Sequence, residues 1–185
     1  MLIKTYGSAV YGVNAMNITV EVNAGDGTGY FLIGLPDNAV KESQWRIETA
    51  FKNTGLKMPR KKVVINMAPA DIRKEGSAYD LTIAVGMLAV SDQISDTEKV
   101  GKYLIMGELS LDGGLLPIKG ALPIAIQARK DGYEGFILPK QNARHHRRER
   151  DRRREADRRR GLVRDVGDGP HAGRRAHDRA QSEPA

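Results

Sequence analysis

Apolar and polar positions alternate in two different rhythms along residues 1–143. In AMNITVEVNA (15–24) every second residue is apolar, which puts Ile18, Val20 and Val22 on one face of a strand. TGYFLIGL (28–35) is a compact apolar run. The GDGT between them reads as a turn, so the two are expected to pair as a hairpin. LIKTYG supplies an earlier strand. From Asp37 the period becomes helical: Asp37 caps after Pro36, Val40, Ile47, Ala50 and Phe51 form an apolar stripe, and Gly55 stops the helix. In KKVVINMA (61–68), Val63, Val64 and Ile65 form a run typical of a strand covered on both faces. Leu81, Ala84, Val85 and Leu88 then fall at i, i+3, i+4 and i+7, the pattern of a helix packed on a sheet. After a polar connection, YLIMGELSL (103–111) and LLPI (115–118) flank DGG, a strong hairpin signal. LPIAIQARKDG (122–132) reads as a helix with Ala125 and Ile126 inward and a Gly132 stop, and GFILP (135–139) as a last strand. The order β-β-β-α-β-α-β-β-α-β predicts an α/β fold, a two-layer sandwich with a mixed sheet.

Composition changes the picture at residue 144. Residues 1–143 hold 16 Lys+Arg against 15 Asp+Glu, whereas residues 144–185 hold 14 Arg against 8 acids and no Lys, Ile, Phe, Tyr or Trp. The formal charge of +7 therefore resides almost entirely in the tail. So few apolar side chains do not offset the entropy of ordering, and the segment is expected to be disordered or a lone solvated helix. Three readings compete: an arm that displaces counterions from phosphates, a helix laced with i,i+4 ion pairs, and an out-of-frame translation. The abrupt exchange of Lys for Arg favours the third. All four histidines lie in this tail and are not read as a metal site. The domain division expected is thus 1–143 and 144–185.

The absence of cysteine excludes disulfides and thiolate metal sites and suits a reducing compartment. No run approaches the roughly 20 apolar residues of a membrane span. A cytoplasmic protein with no membrane partner is expected.

Candidate chemistry is sparse. Gly25, Gly27 and Gly29 join two strands and do not open a helix, so they are not a dinucleotide loop. Glu108, Asp112 and Asp71 fit a common edge but lack metal-ligand spacing. Arg60, Lys61 and Lys62 form one basic run, suited to a strand entry or a DNA phosphate, and Trp45 stands off the inward stripe as a candidate partner contact. Lys74 and Ser77, in RKEGSAYDLTIAVGML (73–88), raise the possibility of a serine nucleophile with a lysine base.

GLPDNAVKES, PRKKVVINMAPADIRKEGSAYDLTIAVGML and MGELSLDGGLLPIKGALPIAIQARKDG together resemble the N-terminal domain of the magnesium-chelatase-like, ComM-like bacterial AAA+ ATPases. The likeness covers residues 1 to about 143. It implies the ribosomal protein S5 domain 2-like fold, that of the Lon proteolytic domain. It also implies an accessory role beside an ATPase module that uses ATP and Mg, in a homohexamer that drives DNA branch migration during natural transformation. A Walker A loop needs Gly-Lys followed by Ser or Thr, and the sole Gly-Lys pair, Gly101-Lys102, precedes Tyr103. No cofactor is therefore expected in this chain, which reads as truncated or frameshifted relative to the family.

The same resemblance addresses the dyad. Laid on the Lon pattern, Glu75, Gly76 and Thr82 match, but the nucleophile position falls on Ala78 and the lysine position on Leu122. Ser77 stands one residue early and Lys119 three residues upstream. The expectation is no catalytic residue, with a residual hydrolase using Ser77 and Lys74 as the alternative. Lys74 is expected to be solvated, with a pKa near 10.4 that makes it a poor base. Ser77 is expected to cap a helix whose first turn contains Asp80.

Overall fold

The computed structural model describes residues 1–143. The readings of residues 144–185 as disordered, helical, phosphate-binding or out of frame lie outside the described residues. Strands β1 (Leu2–Tyr11) and β2 (Asn14–Gly25) form an antiparallel hairpin in register from Leu2↔Asn23 to Tyr11↔Asn14. Its two-residue turn begins with Gly12 at φ +60, a backbone angle glycine adopts without steric cost. β3 (Tyr30–Ile33) is followed by α1 (Asn38–Lys41), α2 (Ser43–Thr54) and β4 (Lys62–Ala68). Asp37 caps α1 through Val40 N–H at 2.8 Å, and Gly55 ends α2 at φ +76. The helix expected over 37–54 is thus interrupted at Glu42, which separates α1 from α2.

The expected hairpin of β2 with β3 does not form. β4 lies between them, antiparallel to β2 and parallel to β3. The glycine-bearing loop after β2 carries the chain past one strand position, which β4 then fills with the buried Val63, Ile65 and Met67. The short, half-exposed β3 remains at the edge.

A single 3-10 turn (Ser77–Tyr79) enters α3 (Asp80–Val90). The polar connection beyond contains α4 (Thr97–Val100), capped by Asp96. The apolar run expected as one strand over 103–111 divides: β5 (Tyr103–Ile105) joins the main sheet, and β6 (Glu108–Leu109) pairs with β7 (Leu115–Leu116) as the expected hairpin. Helix α5 (Ala121–Lys130) leads to β8 (Gly135–Ile137). The six-stranded mixed sheet runs β3-β4-β2-β1-β5-β8.

Helices lie on both faces of this sheet, so a third layer is added to the expected two-layer sandwich. Thr5 and Gly7 of β1 face α3, where a Cβ on Gly86 would sit 2.6 Å from Val22 Cγ2 and 3.5 Å from Thr5. Tyr6, between them, points the other way and meets Tyr133, just beyond α5, at 5.5 Å between ring centroids. Asn17 likewise donates to Asp131, the C-cap of α5, at 2.6 Å. On the α5 side β4 has no covering helix, and Val64 and Asn66 remain half-exposed, contrary to a strand covered on both faces.

Two helix faces also differ from expectation. Helix α3 is buried almost all round, and Thr82, Ile83, Gly86 and Met87 are deeper than Leu81, Val85 and Leu88 of the expected stripe. In α5 the inward residues are Ala121, Ile124 and Ala128, while Ile126 is exposed and Ala125 half-buried. Both helices are rich enough in apolar residues that more than one stripe fits the helical period. Among the described residues no helix is long and apolar enough to cross a membrane.

Candidate functional site

Two loops at one end of the sheet are tied together before any site is formed. The backbone of Lys74 donates to Leu35 O at 3.2 Å and accepts from Asp37 N–H at 2.9 Å, bridging the β3–α1 and β4–α3 connections. Side chains repeat the exchange. Lys74 Nζ donates to the carbonyls of Gly34, at 2.7 Å, and Pro69. The second carboxylate oxygen of Asp37 accepts from Gly76 N–H at 3.0 Å. Gly34 is required for this approach: at φ +99, a Cβ there would lie 2.2 Å from Met67 O.

Lys74 is therefore not the solvated residue expected. Its side chain is fully buried, and burial pushes its ammonium below the usual lysine range, with Asp71 pulling it partly back. A lowered pKa is the property a lysine base needs. Geometry directs the ammonium elsewhere, because its partners are the Gly34 and Pro69 carbonyls and the Ser77 hydroxyl is not among them.

Ser77 does not act as the expected cap. It is the first residue of the 3-10 turn, whose N-cap is Gly76 at φ +82, and neither this turn nor α3 receives a side-chain capping bond. The helical turn begins at Ser77 itself, one residue too early for Ser77 to occupy the half-helical position from which a hydroxyl reaches the N2 or N3 amide.

Asp80 opens α3 in the first turn, as expected, but its main partner is a cation. Arg46 of α2 donates to it through Nε at 2.7 Å and Nη2 at 2.9 Å, and Leu109 N–H adds a third bond at 3.2 Å. Burial pushes the Asp80 carboxyl up, against the opposing pull of Arg46. Sequence reasoning missed this pair. The available signal was a lone acid heading an otherwise apolar helix, together with only four arginines in residues 1–143.

These constraints shape a cleft of about 490 Å³. One wall is the end of β1, Ser8–Tyr11, and the other is the segment Glu75–Tyr79, with Met106, Ile118 and Ile124 supplying apolar surface. Tyr11 Oη donates to Arg73 O at 3.1 Å across one end. Ser77, Ala78, Glu108 and Lys119 all line this cleft. Lys74 and Leu122 do not, and Leu122 is exposed on α5.

The other candidates disperse. Asp112 sits in the β6–β7 turn, where it accepts from Gly114 N–H at 2.9 Å, and Asp71 is an exposed loop residue. Glu108, Asp112 and Asp71 do not converge, and the described residues contain no group of three or more His, Asp or Glu placed to hold a metal. Arg60, Lys61 and Lys62 are exposed, with Lys62 Nζ 5.1 Å from the Phe31 ring centroid, and Trp45 is 64% exposed.

The fold and cleft define a mixed α/β domain with a small, half-polar groove beside the loop that precedes its central helix. The family profile of subunit ChlI of Mg-chelatase matches residues 18–142, and the chain belongs to this magnesium-chelatase-like family. It is 42% identical over 139 residues to competence protein ComM of Haemophilus influenzae, covering 75% of this chain and 27% of that protein. It is 44% identical over 135 residues to YifB of Escherichia coli, covering 72% of this chain and 26% of YifB. A Lon protease of Brevibacillus choshinensis is 26% identical over 144 residues, 71% of this chain and 17% of that enzyme. The chain spans about a quarter of the length of the ComM and YifB relatives it matches.

Proposed function

We propose that residues 1–143 form a non-catalytic accessory domain of a magnesium-chelatase-like AAA+ ATPase, with an S5 domain 2-like fold and residues 144–185 outside it. On this reading ATP and Mg belong to an ATPase module, the assembled form is a hexameric ring, the substrate is DNA and the compartment is the cytoplasm. Family membership supports the setting, and the ComM relative supports a role in competence. The observation that carries the non-catalytic reading is the commitment of the Lys74 ammonium to the Gly34 and Pro69 carbonyls. Ser77 shares the cleft with Lys119 and Glu108 and hydrogen-bonds to neither. A nucleophile needs its base within about 3.2 Å.

The test treats the full chain with a fluorophosphonate probe and a peptide substrate, and assays ATP hydrolysis in parallel. No labelling at Ser77 and no ATP turnover are expected. Peptide turnover that disappears in Ser77→Ala would establish the hydrolase alternative instead. Deleting the matched residues from the Haemophilus influenzae ComM protein is expected to weaken ring assembly or DNA engagement. Unchanged assembly and DNA binding would sink the accessory role.

A further inference from the structure

The cleft contains an unfilled strand position. β5 lies beside β1 only at Tyr6↔Leu104. The chain then turns away, with Met106 N–H going to Ile137 O at 3.0 Å and Gly107 N–H to Ala78 O at 2.8 Å. Along a strand, the N–H groups of alternate residues point to the same side. Ser8 N–H points away from β2, to Met106 Sδ at 3.2 Å, so Val10 N–H and C=O also point away from β2. Val10 lines the cleft, and no backbone or side-chain group among the described residues bonds to it there. Exposed strand edges are templates for another chain unless charge, proline or a covering segment blunts them. Val10 is neither charged nor proline.

The remaining lining fits a peptide better than a phosphate. Arg73 is paired with Glu75 at 3.2 Å, and Lys119 shares the cleft with Glu108, so the walls carry no excess of one sign. The Ser77 hydroxyl has no protein partner among the described residues. We propose that this cleft binds an extended peptide segment, which adds as a strand to the Val10 edge of β1 and lays its side chains on Met106 and Ile118. Main-chain bonds supply affinity in such strand addition, and the flanking surface supplies selectivity. The proposal goes beyond the accessory-domain reading and does not rest on it.

Random nonapeptides displayed on phage are selected against the full chain, and the selected sequences are synthesised with blocked termini. Binding is expected to shift the Val10 amide resonance and slow its hydrogen exchange. Methylating one backbone nitrogen of the peptide at a time is expected to abolish binding at alternate positions. Val10→Pro, which removes the edge donor, is expected to weaken binding by about fivefold or more. Circular dichroism checks that this variant folds, and the methylated peptides test the reciprocal bond, from a peptide N–H to the Val10 carbonyl, on the unaltered chain. Recovery of no peptide, binding insensitive to methylation at every position, or shifts confined to residues outside the cleft would overturn the proposal.

Discussion

Lys74 and Asp80 are charged side chains with no exposed surface, and each is held by groups distant in sequence. Lys74 joins carbonyls at Gly34 and Pro69, and removing its ammonium leaves two acceptors without their donor. Lys74→Met is expected to cost about 2 kcal/mol in urea unfolding. A purely catalytic lysine would leave stability unchanged. Asp80→Asn presents Arg46 with a neutral partner in a site where the guanidinium is mostly buried, and a loss of about 3 kcal/mol is expected. Pairing it with Arg46→Met in a double-mutant cycle should show strong coupling, because the double variant leaves no buried charge unpaired. Neither role was legible locally. RKEG has the polarity of a surface loop, and what buries Lys74 is the approach of another loop, an event without a trace in the hydrophobic period. Asp80 was more accessible to reasoning, since an acid at the head of LTIAVGMLAV must either cap or find a cation.

Elements were legible where one face is buried, and less so where both are. The β2 face of Ile18, Val20 and Val22 and the α2 stripe of Ile47, Ala50 and Phe51 are buried as their periods predict. Strand neighbours were not legible, because a turn sequence states that the chain reverses without stating which strand fills the next position. Packing of α3 depends on Gly86, which brings the helix onto Val22, and Gly86→Ala is expected to destabilise because its Cβ would approach Val22 Cγ2 to 2.6 Å. Val22→Ala in the same chain should recover part of that loss, and thermal melts of the single and double variants check it. On the opposite sheet face, Lys4, Glu21 and Asn66 form a cross-strand row, with Asn66 donating to Glu21 at 3.0 Å and Lys4 at 3.3 Å. These partners, Asn66 first, hold the Glu21 carboxyl below its ordinary 4.5. A lowered native pKa means the unfolded chain binds the proton more tightly, so the row contributes stability above pH 4.5 that is lost as pH falls through the lowered value. Glu21→Gln is expected to flatten that part of the acid limb when melting temperature is followed against pH.

At the scale of the whole molecule, the change in composition suggests a boundary near residue 143, and the bonds of Asn142 offer a way to test it. Asn142 is bonded into the body near the end of the described residues. Its side chain accepts from Ile118 N–H at 3.0 Å and donates to Ile118 O at 2.8 Å, closing both backbone groups of a buried residue beside the cleft. Its own N–H donates to Pro139 O at 2.9 Å. A chain ending at Ala143 keeps all of these bonds, and if residues 1–143 are a folding unit it should melt cooperatively at the temperature of the full chain. A chain ending at Gln141 differs by two residues yet leaves Ile118 N–H and C=O without partners. The loss expected is about 2 kcal/mol, seen as a lower melting temperature. Equal melting of the two truncations would show that Asn142 does not close the body. A fall in both relative to the full chain would place the domain boundary beyond Ala143, against the division that the composition suggests.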